Sequence, residues 1–147
     1  MTLDPAGTYR TTQITTASPI EQVVLLYQGA IRQATAHLAF LERSDLPAAH
    51  RASVRCQEIV GSLQESLDLS AGPIATQLDQ LYAFTLERLV AGNVAKDPIP
   101  TRDALRVLRD LLPAWQAIAS PRVAPAPGAT PVPARAGGTF SGVAVLR

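Results

Sequence analysis

Apolar residues return along this chain at steps of three and four in four separate blocks, each bounded by residues that start or stop helices. In the first block Ile20, Val23, Val24, Tyr27, Ile31, Ala34, Leu38 and Leu41 recur in this way, the spacing that gathers side chains into one stripe of a helix. Ser18-Pro19-Ile20-Glu21 stands at its start. The serine hydroxyl can accept the Glu21 backbone N–H, the Glu21 carboxylate can reach back to Ser18, and Pro19 has the φ of a first helical position. This helix is expected to end near Glu42. Ser44-Asp45-Leu46-Pro47 reads as a turn, after which Ala52, Cys56, Ile59, Val60, Leu63 and Leu67 predict a second helix of about five turns. Gly72-Pro73 opens a third, striped by Ile74, Leu78, Leu81, Tyr82, Leu86 and Leu89 and running toward Asn93. Asp97-Pro98-Ile99-Pro100 reads as a break. Thr101 can then cap a fourth helix carrying Leu105, Leu108, Leu111, Leu112, Trp115 and Ile118. Pro113 falls inside it, which removes one hydrogen bond, crowds the Arg109 carbonyl and predicts a kink before Trp115.

Four amphipathic segments with short links and no strand signal predict an all-α fold, an antiparallel four-helix bundle. Several stripes are wider than a closed bundle needs. Leu25 and Leu26 lie off the Val24, Ile31, Leu38 line, and Leu78 and Leu81 flank Tyr82 on opposite sides. Such breadth suits a surface groove awaiting a partner helix.

The flanks read differently. Tyr9-Arg10-Thr11-Thr12-Gln13-Ile14-Thr15-Thr16-Ala17 is too apolar to float freely and too short and Thr-rich to fold alone, so 1–17 is read as a lid segment, extended or briefly helical, that lies across the bundle. The bundle occupies 18–120. From Pro121 to residue 147 the chain is rich in Ala, Pro and Gly and reads as a disordered tail. Phe140, Val143, Val145 and Leu146 near its end could dock, although composition favours a featureless end.

Composition narrows the partners. The chain has 147 residues, with 13 basic and 12 acidic side chains and a net charge of +1, enough for one domain and too little field to attract nucleic acid or anionic lipid. One cysteine, Cys56, excludes an intrachain disulfide. Met1-Thr2-Leu3-Asp4-Pro5 lacks the marks of a secretory signal, and no apolar run is long enough to span a membrane. A cytoplasmic location is expected.

Catalytic and metal chemistry find little support. His37 reads as a half-exposed helix histidine, and no Glu-x-x-His pair exists for a di-metal bundle site. No cofactor and no metal are expected, and the chain is not read as an enzyme. His50 is followed by Arg51-Ala52-Ser53-Val54, without the cation and small residue that a phosphate-relaying histidine wants, so it reads as solvated. Arg102, Arg106 and Arg109 share a helix face but alternate with Asp103 and Asp110, which suits a solvated face. Cys56 reads as a small buried hydrophobe. Core packing is the first reading of Tyr27, Tyr82 and Trp115, which lie on stripes. Tyr9 has no helix to pack within. Histidine phosphotransfer and a self-associating structural bundle are the alternatives to partner binding.

Tyr9, Thr16-Ala17-Ser18-Pro19, Leu26-Tyr27-Gln28-Gly29-Ala30-Ile31-Arg32, Ser66-Leu67-Asp68, Ile74-Ala75 with Leu78, Leu81-Tyr82, Leu89 with Asn93 and Asp97, and Ala114-Trp115 occur in this order. Together they resemble the FliS flagellin export chaperone family, over a span from Tyr9 to Trp115. The resemblance implies a cytoplasmic, non-enzymatic chaperone. Such a protein binds the disordered C-terminal segment of flagellin in hydrophobic grooves, prevents premature polymerisation and delivers the subunit to the flagellar type III export gate. On that reading the partner-binding candidates are Tyr9, Ile14, Leu26, Tyr27, Leu78, Leu81, Tyr82, Leu89, Asn93 and Leu111, with Tyr9 and Ile14 as lid contacts. The chain would be a monomer or weak homodimer. It departs from the family pattern at Gln28, Pro73, Gly92 and Pro113, the last bearing on the groove along the fourth helix.

Overall fold

The structure, a computed structural model, describes residues 17–120 and 145–146. Four helices carry it: α1 (Pro19–Glu42), α2 (Leu46–Glu65), α3 (Pro73–Ala95) and α4 (Pro98–Ala119), with a short 3-10 turn at Leu69–Ala71. Each helix packs on two neighbours, in the order α1, α2, α3, α4 and back to α1. Among the described residues there is no strand, and the expected antiparallel bundle is the fold.

The helix ends follow from local chemistry. Ser18 Oγ accepts the Glu21 N–H at 3.2 Å, the cap expected of it. Ser44 closes α1 in a left-handed conformation, with φ of 57°. Asp45 then caps α2 by accepting from Ala48 N, so the second helix begins at Leu46, directly on the supposed turn. The segment Asp97-Pro98-Ile99-Pro100 is also helical, contrary to its expected role as a break. The chain turns one residue earlier, at left-handed Lys96, and Asp97 rather than Thr101 is the cap, accepting from Ile99 N at 3.0 Å. Prolines at the first and third helical positions cost nothing there, because those N–H groups have no intrahelical acceptor. α4 also continues through Pro113. Pro113 and Arg109 are both exposed, so water can satisfy the carbonyl that loses its partner.

The core line of α1 is Ile20, Val23, Tyr27, Ala30, Ala34 and His37, not the Val24, Ile31, Leu38 line, whose members are half-buried. Small residues dominate where α1 meets α2, with Ala30, Ala34, Ala49 and Cys56 all fully buried. The backbones therefore approach closely enough for side chain to reach main chain. Cys56 Sγ donates to Ala30 O at 3.3 Å, and His37 Nδ1 lies 2.7 Å from Ala49 O. His37 is fully buried, correcting its reading as half-exposed, and its Nε2 has no partner among the described residues.

Aromatics from three helices meet in the centre. Tyr27 of α1 and Tyr82 of α3, helices that face each other across the bundle, share a hydroxyl–hydroxyl hydrogen bond of 2.6 Å. The Trp115 ring of α4 lies 6.3 Å from that of Tyr27. Burial pushes the Tyr27 hydroxyl up to about 12, against the opposing pull of hydrogen bonds to Tyr82 and Trp115. Tyr82 is raised further, by burial first and then by its neighbour Tyr27. Burial likewise pushes the Cys56 thiol up to about 12.

The distal pair Val145–Leu146 is docked on the bundle. Asp68 N donates to Val145 O at 2.6 Å, Leu67 and Leu146 form an isolated antiparallel bridge, and Val145 is 5% exposed within the core. Of the four residues that could dock, Val145 and Leu146 do so, and Phe140 and Val143 lie outside the described residues.

Candidate functional site

α3 and α4 are pinned together at their connection. A Cβ on Gly92 would collide with Thr101 Oγ1 and lie 3.1 Å from Asp97 O, so the close approach needs glycine at this position. Toward the other end of the same helix pair an apolar trough of about 330 Å³ opens to solvent. Ile74, Gln77, Leu78 and Leu81 of α3 form one wall, and Leu111, Ala114 and Trp115 of α4 form the other. The α3 residues share a face because they recur at three- and four-residue steps. Gln77 is the sole polar side chain in the lining. Trp115 is 2% exposed, so it supplies a buried floor rather than a rim. Leu81 and Phe84, one turn apart, are exposed and extend the apolar surface along α3. Val90, Val94 and Ile99 are exposed nearer the connection.

Of the ten residues singled out in the sequence, the trough unites three, Leu78, Leu81 and Leu111. Tyr27, Tyr82 and Leu89 lie in the interior at 1% exposure or less. Their placement supports the first reading of the tyrosines, as core residues. Leu26 is half-buried on α1. Asn93 is far along α3 from the trough, where its Nδ2 donates to His50 Nδ1 at 2.9 Å and its Oδ1 accepts from Lys96 Nζ at 3.0 Å. His50 is thus exposed but hydrogen-bonded, not merely solvated. Tyr9 and Ile14, the lid contacts, lie outside the described residues. Ile74, Gln77, Ala114 and Trp115 were not singled out as contacts. The i, i+3 and i+4 relations of Ile74 and Gln77 to Leu78 and Leu81 are the signal that marks them.

Little else invites chemistry. Among the described residues no group of three His, Cys, Asp or Glu side chains could hold a metal ion, and no helix is long and apolar enough to cross a membrane. Arg102, Arg106 and Arg109 are exposed. A shallower, mixed polar and apolar depression of about 440 Å³ at Val24, Gln116, Ala119 and Ser120 lies between the start of α1 and the end of α4.

Among the described residues, an all-α bundle carries an open apolar trough, a surface suited to receive an apolar segment of another chain. Comparison with known proteins gives the family. The model of the family described as Flagellar protein FliS matches residues 2–122, and the chain belongs to that family. It is 30% identical to the flagellar secretion chaperone FliS of Vibrio cholerae, across 72% of this chain and 79% of that one. The flagellar secretion chaperone FliSB of Pseudomonas aeruginosa is 28% identical, across 72% of this chain and 85% of the relative. The flagellar secretion chaperone FliS of Bacillus subtilis is 24% identical, across 81% of this chain and 90% of the relative.

Proposed function

We propose that this chain is a cytoplasmic flagellar secretion chaperone. Its client is the C-terminal segment of flagellin, which it keeps from polymerising and hands to the type III export gate. The observation that carries the reading is the α3–α4 trough, an apolar surface left open in a family whose relatives are named secretion chaperones. A client that folds as it binds must bury on the order of 1,000 to 3,000 Å² to offset its ordering. The trough alone seats one or two anchor side chains. The remaining contact extends from Leu81 to the exposed Phe84, one turn further along α3. With no strong charge nearby, affinity rests on desolvated anchors. The segment 1–17, with Tyr9 and Ile14, covers part of this surface when no client is present.

Titration calorimetry with a flagellin C-terminal peptide tests the reading. The expected result is a negative heat-capacity change, little dependence on salt, and at least about tenfold weaker binding by Leu81→Asp, whose exposed position spares the fold. Removal of residues 1–15, with Ser18 retained, is expected to tighten binding because the competent fraction rises. Affinity that collapses with salt, or a Leu81→Asp chain that binds normally, would sink the proposal.

A further inference from the structure

Val145 and Leu146 reach the bundle at the connection between α2 and α3, and three features of that contact bear on its nature. First, the pairing is through main chain: Asp68 N–H donates to Val145 O at 2.6 Å, and Leu67 and Leu146 are bridged as in an antiparallel ladder. Second, Val145 is helical and buried, while Leu146, which follows it, is bridged to Leu67 and half-buried. Third, Val145 joins the same contiguous apolar cluster as Leu67, Leu78 and Trp115, the last two of which line the trough.

The occupant is joined to α4 through residues 121–144. That stretch of 24 residues includes prolines at 121, 125, 127, 131 and 133 and glycines at 128, 137, 138 and 142. The covalent link makes occupation of the corner intramolecular. We propose that the Leu67–Asp68 corner is a binding site for a short apolar segment, occupied reversibly by the chain's own Val145–Leu146. A partner segment with a β-branched residue followed by leucine would meet the same recognition: a carbonyl for Asp68 N–H and a side chain for the core. The inference does not depend on the client proposed above.

Amide exchange at Asp68 in the full chain tests it without any client. In Val145→Asp this amide is expected to exchange roughly 10- to 100-fold faster than in the unaltered chain, while core amides such as that of Leu108 hold their rates. A synthetic peptide of residues 140–147, added at millimolar concentration to Val145→Asp, is expected to restore slow exchange. The same peptide carrying aspartate at 145 is not. Unchanged exchange in Val145→Asp, or failure of the peptide to restore protection, overturns the proposal. Should Val145→Asp lose its helical circular dichroism, Val145→Ala replaces it. Loss of fold there too would make the pair a fixed part of the core, and the reversible site would be refuted. Sedimentation decides the source of the occupant. Concentration-dependent dimers that vanish in Val145→Asp would put a second copy's segment in the seat and refute occupation in cis.

Discussion

The contact between α1 and α2 and the contact between α3 and α4 use the same backbone geometry to opposite ends. The first is closed by Ala30, Ala34, Ala49 and Cys56, small enough that thiol and imidazole reach main-chain carbonyls on the other helix. The second is tight at Gly92 and Thr101 but carries leucines, a glutamine and a buried tryptophan further down, and there it leaves a trough. Residue size along the seam, rather than hydrophobicity, decides which pair seals. An open seam costs the bundle unburied apolar area, and this one is tolerated because the interior behind it is complete.

The largest expected effect appears at alkaline pH. Cys56 lies in the closed seam and Tyr27 at the bundle centre against Tyr82 and Trp115, and both are pushed up to about 12 by burial. The unfolded chain releases these protons at the ordinary values of 9.0 and 10.0. It therefore binds fewer protons than the folded chain above pH 9, and stability falls as pH rises from there toward 12. Each group contributes about 1.4 kcal/mol per pH unit within its window. Thermal melts by circular dichroism should show a flat melting temperature below pH 9 and a steep decline above it. In Cys56→Ala the decline should begin near pH 10; an onset still at pH 9 would show that the thiol is not the first group to act.

Overpacking separates the seams next. Ala34→Leu is expected to destabilise by about 1 to 3 kcal/mol in urea titration, because a fully buried position has no room for the added carbons. Ala114→Leu, on the open wall of the trough, should stay within about 0.5 kcal/mol. Equal effects would mean that the trough is as closed in solution as the α1–α2 seam. The smallest effect falls at the pinned end of α3 and α4. Gly92→Ala gains about 1 kcal/mol of helix propensity but must displace Thr101, for a net loss of roughly 1 kcal/mol. Pairing it with Thr101→Ala, which removes the colliding hydroxyl, should recover most of that loss.

Four helices, the Ser18 cap and the Gly72-Pro73 start were legible in the sequence because each rests on local chemistry. The second and fourth helices begin earlier than expected because prolines in a first turn look like breaks until a cap is found just upstream, at Asp45 and at Asp97. His37 was misplaced for a related reason. Beyond Tyr27 the buried line of α1 consists of Gly29, Ala30, Ala34 and His37, which contribute little to an apolar stripe, whereas the bulkier Ile31 and Leu38 run beside it. The same limit applied to the trough. Periodicity found Leu78, Leu81 and Leu111, but it could not separate them from Tyr27, Tyr82 and Leu89, since all lie on apolar faces. Only the packing of neighbouring helices distinguishes a residue that fills the interior from one that borders an opening. Val145–Leu146 was hidden by the Pro- and Gly-rich stretch before it.

The Tyr27–Tyr82 hydrogen bond acts as a strut. It braces two rods at opposite corners of the frame, fixing the height of one against the other in a dry centre where a lone phenol would have no water to turn to. For α3 to roll inward and fill the vacancy beside it, that brace would have to tear. The opening at the surface is thus held ajar from within.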